Sequence, residues 1–68
     1  MKETDFPKGT EFHIKESDVP LAHIPGKGWV NFFGGNARTY NVEGLKQGNN
    51  WPANSFDEWL KVVEESKL

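Results

Sequence analysis

The sequence predicts an α+β domain: a small antiparallel β-meander of three to four strands with one C-terminal α-helix packed on it. Three observations carry this expectation. Every stretch with the alternating period of a strand precedes the one stretch with the roughly 3.6-residue period of a helix, which argues against parallel βαβ crossovers. The breaks between the strand-like stretches are short and rich in glycine, proline and asparagine, as hairpins require. The chain has 68 residues, enough for one modest core, so 1–68 is read as a single small domain.

The first strand is expected within Thr10–Glu16, where Phe12 and Ile14 fall on one face and Glu11, His13 and Lys15 on the other. On that polar phase His13 reads as a solvated side chain. Ser17 and Asp18 can bond to nearby backbone amides and Pro20 constrains the exit, so the chain turns there. A second strand follows at Leu21–Ile24, with His23 partly buried on the side of Leu21. Pro25-Gly26-Lys27-Gly28 reads as a hairpin loop whose glycines can take positive φ angles.

Trp29–Phe33 is the aromatic strand. Successive strand residues point to opposite faces, so Val30 and Phe32 lie on one side and Trp29 and Phe33 on the other. A three-residue loop, Gly34-Gly35-Asn36, is expected after it, because it sets Phe33 opposite Ala37 and Val30 opposite Tyr40. Val30, Phe32, Tyr40 and Val42 then share one apolar face. Ala37–Glu43 is extended. Gly44–Asn54, with two glycines, three asparagines and Pro52, reads as a connecting loop that Trp51 pins to the core. Ser55-Phe56-Asp57-Glu58 has the form of a capping box and starts the helix. Phe56, Trp59, Leu60 and Val63 then form an apolar stripe at i, i+3, i+4 and i+7, with Asp57, Glu58, Lys61, Glu64 and Glu65 towards water.

Composition narrows the function classes. The hydrophobic fraction is 35% and the aromatic fraction 13%, which points to an aromatic-rich core, since rings bury the most area. There are no cysteines, so disulfides, thiolate nucleophiles and thiolate zinc sites are excluded and no oxidising compartment is needed. The charged start and the lack of a long apolar run give no signal peptide or membrane span, and a cytoplasmic protein is expected. Eight basic and ten acidic residues leave a net charge of −2, which offers no broad attraction to nucleic acid or anionic membrane.

No catalytic constellation emerges. His13 and His23 lack evident metal-ligand spacing, and Ser17, Ser55 and Ser66 have turn, cap or helix-surface roles. No enzyme activity, cofactor or metal is expected. The feature with functional leverage is the second side of the aromatic strand. Trp29 and Phe33, interleaved with Asn31, Thr39 and Asn41, form a candidate binding patch, as aromatic anchors with polar neighbours do at interfaces. The structural alternative is a covered second face, closed by the N-terminal segment with Phe6 and Pro7 or by the sheet curling towards an SH3-like barrel. The function expected is a non-enzymatic interaction module, an adaptor, inhibitor or accessory protein, with a protein partner. Single-stranded nucleic-acid binding, with Lys27 and Arg38 beside the aromatics, is one alternative; a self-associating subunit is another.

Three short resemblances accompany this reading. Lys27-Gly28-Trp29-Val30-Asn31-Phe32 resembles the Lys-Gly-aromatic-x-Phe strand of cold-shock barrels but lacks that pattern's second glycine. Val30-Asn31-Phe32-Phe33-Gly34 is similar to the Phe-Phe-Gly strand of PWWP domains. Asn50-Trp51 before a capped terminal helix resembles the end of a chromodomain. Each spans a fraction of the chain, none brings a complete aromatic cage, and no family follows from them.

The capping box makes a direct prediction. Replacing Ser55 with alanine should lower unfolding stability by about 1 kcal/mol in urea titrations; an unchanged midpoint would mean the helix starts elsewhere.

Overall fold

The structure, a computed structural model, describes residues 1–33, 35–39 and 50–66, without the side chains of Asn36 and Thr39. A short 3-10 turn at Glu3–Asp5 leads into β1 (Glu11–Lys15), β2 (Val19–Ile24), β3 (Gly28–Phe33), β4 (Asn36–Thr39) and β5 (Asn50–Pro52), followed by α1 (Phe56–Glu65). The strands form one five-stranded sheet in the order β4-β3-β2-β1-β5. All its pairings are antiparallel. The α+β class is as expected, but there are five strands rather than three to four. The extra strand lies in the stretch read as a loop. It pairs His13 with Pro52, Ile14 with Trp51 and Lys15 with Asn50. Three residues are too few to show a period, and only the distant partner β1 makes them a strand. Pro52 is accommodated because β5 is an edge, where a missing N–H need break no ladder.

Local chemistry sets the hairpins. Between β1 and β2, Lys15 pairs with Val19. The Asp18 N–H donates to the Lys15 carbonyl at 2.8 Å, with Asp18 at φ 58°, a left-handed position that aspartate tolerates better than most residues. Strand β2 begins two residues earlier than expected and includes Pro20. Its ladder with β3 starts only at Leu21, opposite Asn31. Between β2 and β3 the Lys27 N–H donates to the Ile24 carbonyl at 3.0 Å. Gly26 follows Pro25 with φ 86°, the arrangement of a type II turn.

The β3–β4 connection departs from expectation. Phe33 pairs with Asn36, Phe32 with Ala37, Asn31 with Arg38 and Val30 with Thr39, so residues 34 and 35 alone join the strands. Gly35, at φ 84°, supplies the positive φ that a two-residue connection needs at its second position, where a three-residue loop would place it one residue later. A one-residue change in register exchanges the faces of an entire strand. Thr39 therefore stands opposite Val30, not Asn31, and Arg38 takes the place beside Asn31. Tyr40 and Val42, expected to share the face of Val30, lie outside the described residues.

The helix begins as the sequence predicts, with the Glu58 N–H donating to Ser55 Oγ at 3.2 Å. Its stripe closes one side of the sheet. Trp59 and Val63 are buried against Ala22, Ile24, Val30 and Phe32, with Phe12, Ile14, Phe56 and Leu60 partly buried around them. Phe6 joins this side, its ring centroid 5.0 Å from Phe12, 5.7 Å from Phe32 and 5.6 Å from Trp59. Phe6 thus does not cover Trp29 and Phe33: the 3-10 turn, held by the Lys2 N–H donating to Asp5 Oδ2 at 2.8 Å, leads it to the opposite face. Trp59 is 0% exposed, and its indole Nε1 donates to the Leu21 carbonyl at 2.8 Å. Trp51 does not pin a loop to the core. It is 44% exposed, because β5 carries it to the sheet edge opposite Ile14.

Trp59→Phe keeps an aromatic ring but removes the indole donor from the Leu21 carbonyl. It should cost about 1–3 kcal/mol in urea unfolding, and Trp59→Ala about 3–5 kcal/mol through the cavity it leaves. A Trp59→Phe variant with unchanged stability would show that the hydrogen bond contributes nothing.

Candidate binding face

The side of the sheet away from α1 is built by alternation and register. Cross-strand partners share a face, so Leu21 sits beside His13 on β1 and beside Asn31 on β3, with Arg38 next to Asn31 on β4. One step along, His23 lies between Glu11 and Trp29. At the other end Lys15 pairs with Val19, and Phe33 extends β3 two residues past Asn31.

Trp29 organises one end of this face. The His13 ring lies 4.9 Å from it at an interplanar angle of 74°, and the His23 ring 5.1 Å from it at 64°. Both are edge-to-face arrangements of the kind aromatic pairs favour. His23 is partly buried on the side of Leu21, as expected. His13 is not the solvated side chain its polar phase suggests. The indole is wide enough to draw in the imidazole from two strands away, and His13 Nδ1 is buried with no hydrogen-bond partner. In the middle of the face Leu21 is fully buried and Asn31 is 2% exposed, with its Oδ1 likewise unpaired.

Of the five residues expected to form a patch, the structure brings Trp29, Asn31 and Phe33 onto one face. Their exposure differs sharply. Trp29 is 9% exposed and Phe33 is 41% exposed, so the ring open to a partner is Phe33, and the expectation that both rings lie open is corrected. This side is covered around Leu21, Trp29 and Asn31, though neither α1 nor Phe6 lies on it. Thr39 leaves the group through the two-residue β3–β4 connection, and Asn41 lies outside the described residues. Arg38 and Val19 are the members that sequence reasoning missed. The Gly-Gly pair after Phe33 was the available signal for Arg38, since it favours the shorter connection.

The remaining chemistry is sparse. Among the described residues no three His, Cys, Asp or Glu side chains converge to hold a metal ion, and no helix is long and apolar enough to cross a membrane. An open groove of about 350 Å³ lies beside Asp18, Val62, Glu65 and Ser66. A smaller one, about 220 Å³, runs along the N-terminal segment from Glu3 to Phe12.

The fold and this face define the class: a small α+β domain whose sheet is closed on one side by a helix and, among the described residues, exposes the aromatic Phe33 on the other. Comparison with known proteins takes it no further, for no protein-family model, curated protein or solved structure matches the chain.

Asn31 provides a test of the face. Exchanging it for leucine, of similar shape, removes a buried acceptor that otherwise carries a desolvation cost of about 1–3 kcal/mol. Asn31→Leu should leave thermal stability unchanged or raised. A loss of more than about 1 kcal/mol would show that the carboxamide is fully paired.

Proposed function

We propose that this domain is a non-enzymatic interaction module that docks a protein partner on the sheet side away from α1, with Phe33 as the anchor. The observation that carries the reading is the exposure of Phe33 on the same strand and face as buried Trp29 and Asn31. A buried floor beside one open aromatic ring is the usual build of an interface anchor. The reading requires no catalysis, metal or cofactor. The absence of cysteine accords with a cytoplasmic setting.

Nucleic-acid binding receives less support. Stacking needs accessible ring faces, and Trp29 is buried. Self-association through the same face remains the competing protein-binding reading, and light scattering separates the two: docking of another protein predicts a constant monomer mass on dilution.

The experiment compares photo-crosslinked partners of the intact chain with those of Phe33→Ser and Trp51→Ser. Both side chains are exposed, so each variant should retain stability within about 0.5 kcal/mol. Partners captured by the parent and by Trp51→Ser but lost with Phe33→Ser are the expected result. An identical set from Phe33→Ser would overturn the proposal.

A further inference from the structure

We infer that the outer edge of β4 takes a further strand, an extended peptide segment of a partner held by main-chain hydrogen bonds. The inference goes beyond the anchor proposed above and does not depend on Phe33. The argument is the direction in which each strand turns its backbone groups. The Ala53 N–H donates to the Phe12 carbonyl at 2.9 Å, so Phe12 and Ile14 turn theirs towards β5. Successive residues of a strand point these groups to opposite sides, and the pairings carry the alternation across the sheet. The backbone of His13 therefore bonds to Leu21, that of Ala22 to Val30, and that of Asn31 to Arg38. This leaves the N–H and C=O groups of Ala37 and Thr39 directed away from β3. Strand β4 ends the sheet on that side, and among the described residues Ala37 has no backbone partner there.

The two edges differ. On β5 the same alternation turns Trp51 inwards and Pro52 outwards, and a proline there offers no donor to an incoming strand. Strand β4 contains no proline, and Gly35, Ala37 and Arg38 are exposed. Ala37 and Arg38 lie on opposite faces, so β4 is open on both faces as well as along its edge. Donors and acceptors repeating at every second residue match an extended backbone, whereas a helix has bonded its own groups internally. β-Branched residues suit the incoming strand best. A second copy suits it less: pairing two β4 strands antiparallel, Ala37 with Thr39, sets Arg38 opposite Arg38, and like charges there repel.

The test follows the amides of the isotope-labelled intact chain by NMR, with two probes: a capped Thr-Val-Thr-Val-Thr peptide and the same peptide N-methylated at every residue. In the free chain the Ala37 amide should exchange with solvent faster than the Arg38 amide. The unmodified peptide should shift Ala37 and Thr39 and, at about ten times its dissociation constant, slow Ala37 exchange about tenfold. The N-methylated peptide should do neither, and it decides the matter without a variant. Ala37→Pro, which removes only an outward N–H, should abolish the shift at Thr39 while the amides of β1 to β3 stay in place, and Ala37→Thr should retain it. Slow exchange at Ala37 in the free chain at every dilution would overturn the inference, because the edge would already be paired. Protection that grows with protein concentration would put a second copy there instead. Equal shifts from both peptides, unchanged binding to Ala37→Pro, shifts centred on Trp51, or no shifts would also reject it.

Discussion

The structure depends on one contact, the indole of Trp59 held between the helix and the central strand. Its ring lies within 5.6 Å of Phe6, Phe12, Phe32 and Phe56, centroid to centroid, and it is fully buried. Burying an indole removes about 150–250 Å² from water, worth roughly 4–6 kcal/mol, a large share of what a domain this small can accumulate. The same burial creates a constraint. The indole N–H cannot be left without an acceptor, and the acceptor is the carbonyl of Leu21, 38 residues away in sequence. The bond sets how deep α1 sits and how it is turned about its axis. The other members of the stripe meet the sheet as a consequence.

With α1 so placed, the two sides of the sheet have different tasks. The helix side is a cluster of rings in edge-on and tilted contact, arranged around Ala22, Ile24 and Val30, whose smaller side chains leave room for them. On the other side Leu21, Trp29 and Asn31 are buried without help from the helix. Strand β2 has buried residues on both faces, and so does β3 until Phe33. The open part of the face is therefore small. Among the described residues Phe33 is the exposed large hydrophobic on this face, which makes one ring, rather than a broad aromatic surface, the candidate anchor.

Legibility followed the range of the interactions. The helix was readable because its cap and its stripe are defined within ten residues. Ser55 as the cap and the Phe56–Trp59–Leu60–Val63 spacing appear in the structure in the roles the sequence suggests. The hairpin at Pro25–Gly28 was readable for the same reason. The strand β5 was not, since Asn50–Pro52 acquires its conformation only from pairing with β1. The candidate site was legible in part. Alternation alone put Trp29, Asn31 and Phe33 on one side, but the choice of neighbour from β4, Arg38 rather than Thr39, turned on a single residue of loop length. Weighing the burial of Tyr40 and Val42 favoured the longer loop. The positive φ of Gly35 belongs to the shorter one.

The sequence by itself determined the class of the domain, the helix and its buried stripe, the aromatic character of the core and the alternation that divides β3 into two faces. These are properties of neighbours along the chain, where backbone geometry permits few alternatives. Tertiary structure decided the fifth strand, the β3–β4 register, the destination of Phe6 and the exposure of each ring. Exposure depends on what approaches from elsewhere in the chain, and alternation is silent on that. It assigned Trp29 and Phe33 to one face with equal standing; in the fold Trp29, in edge contact with two imidazoles, is buried and Phe33 is exposed.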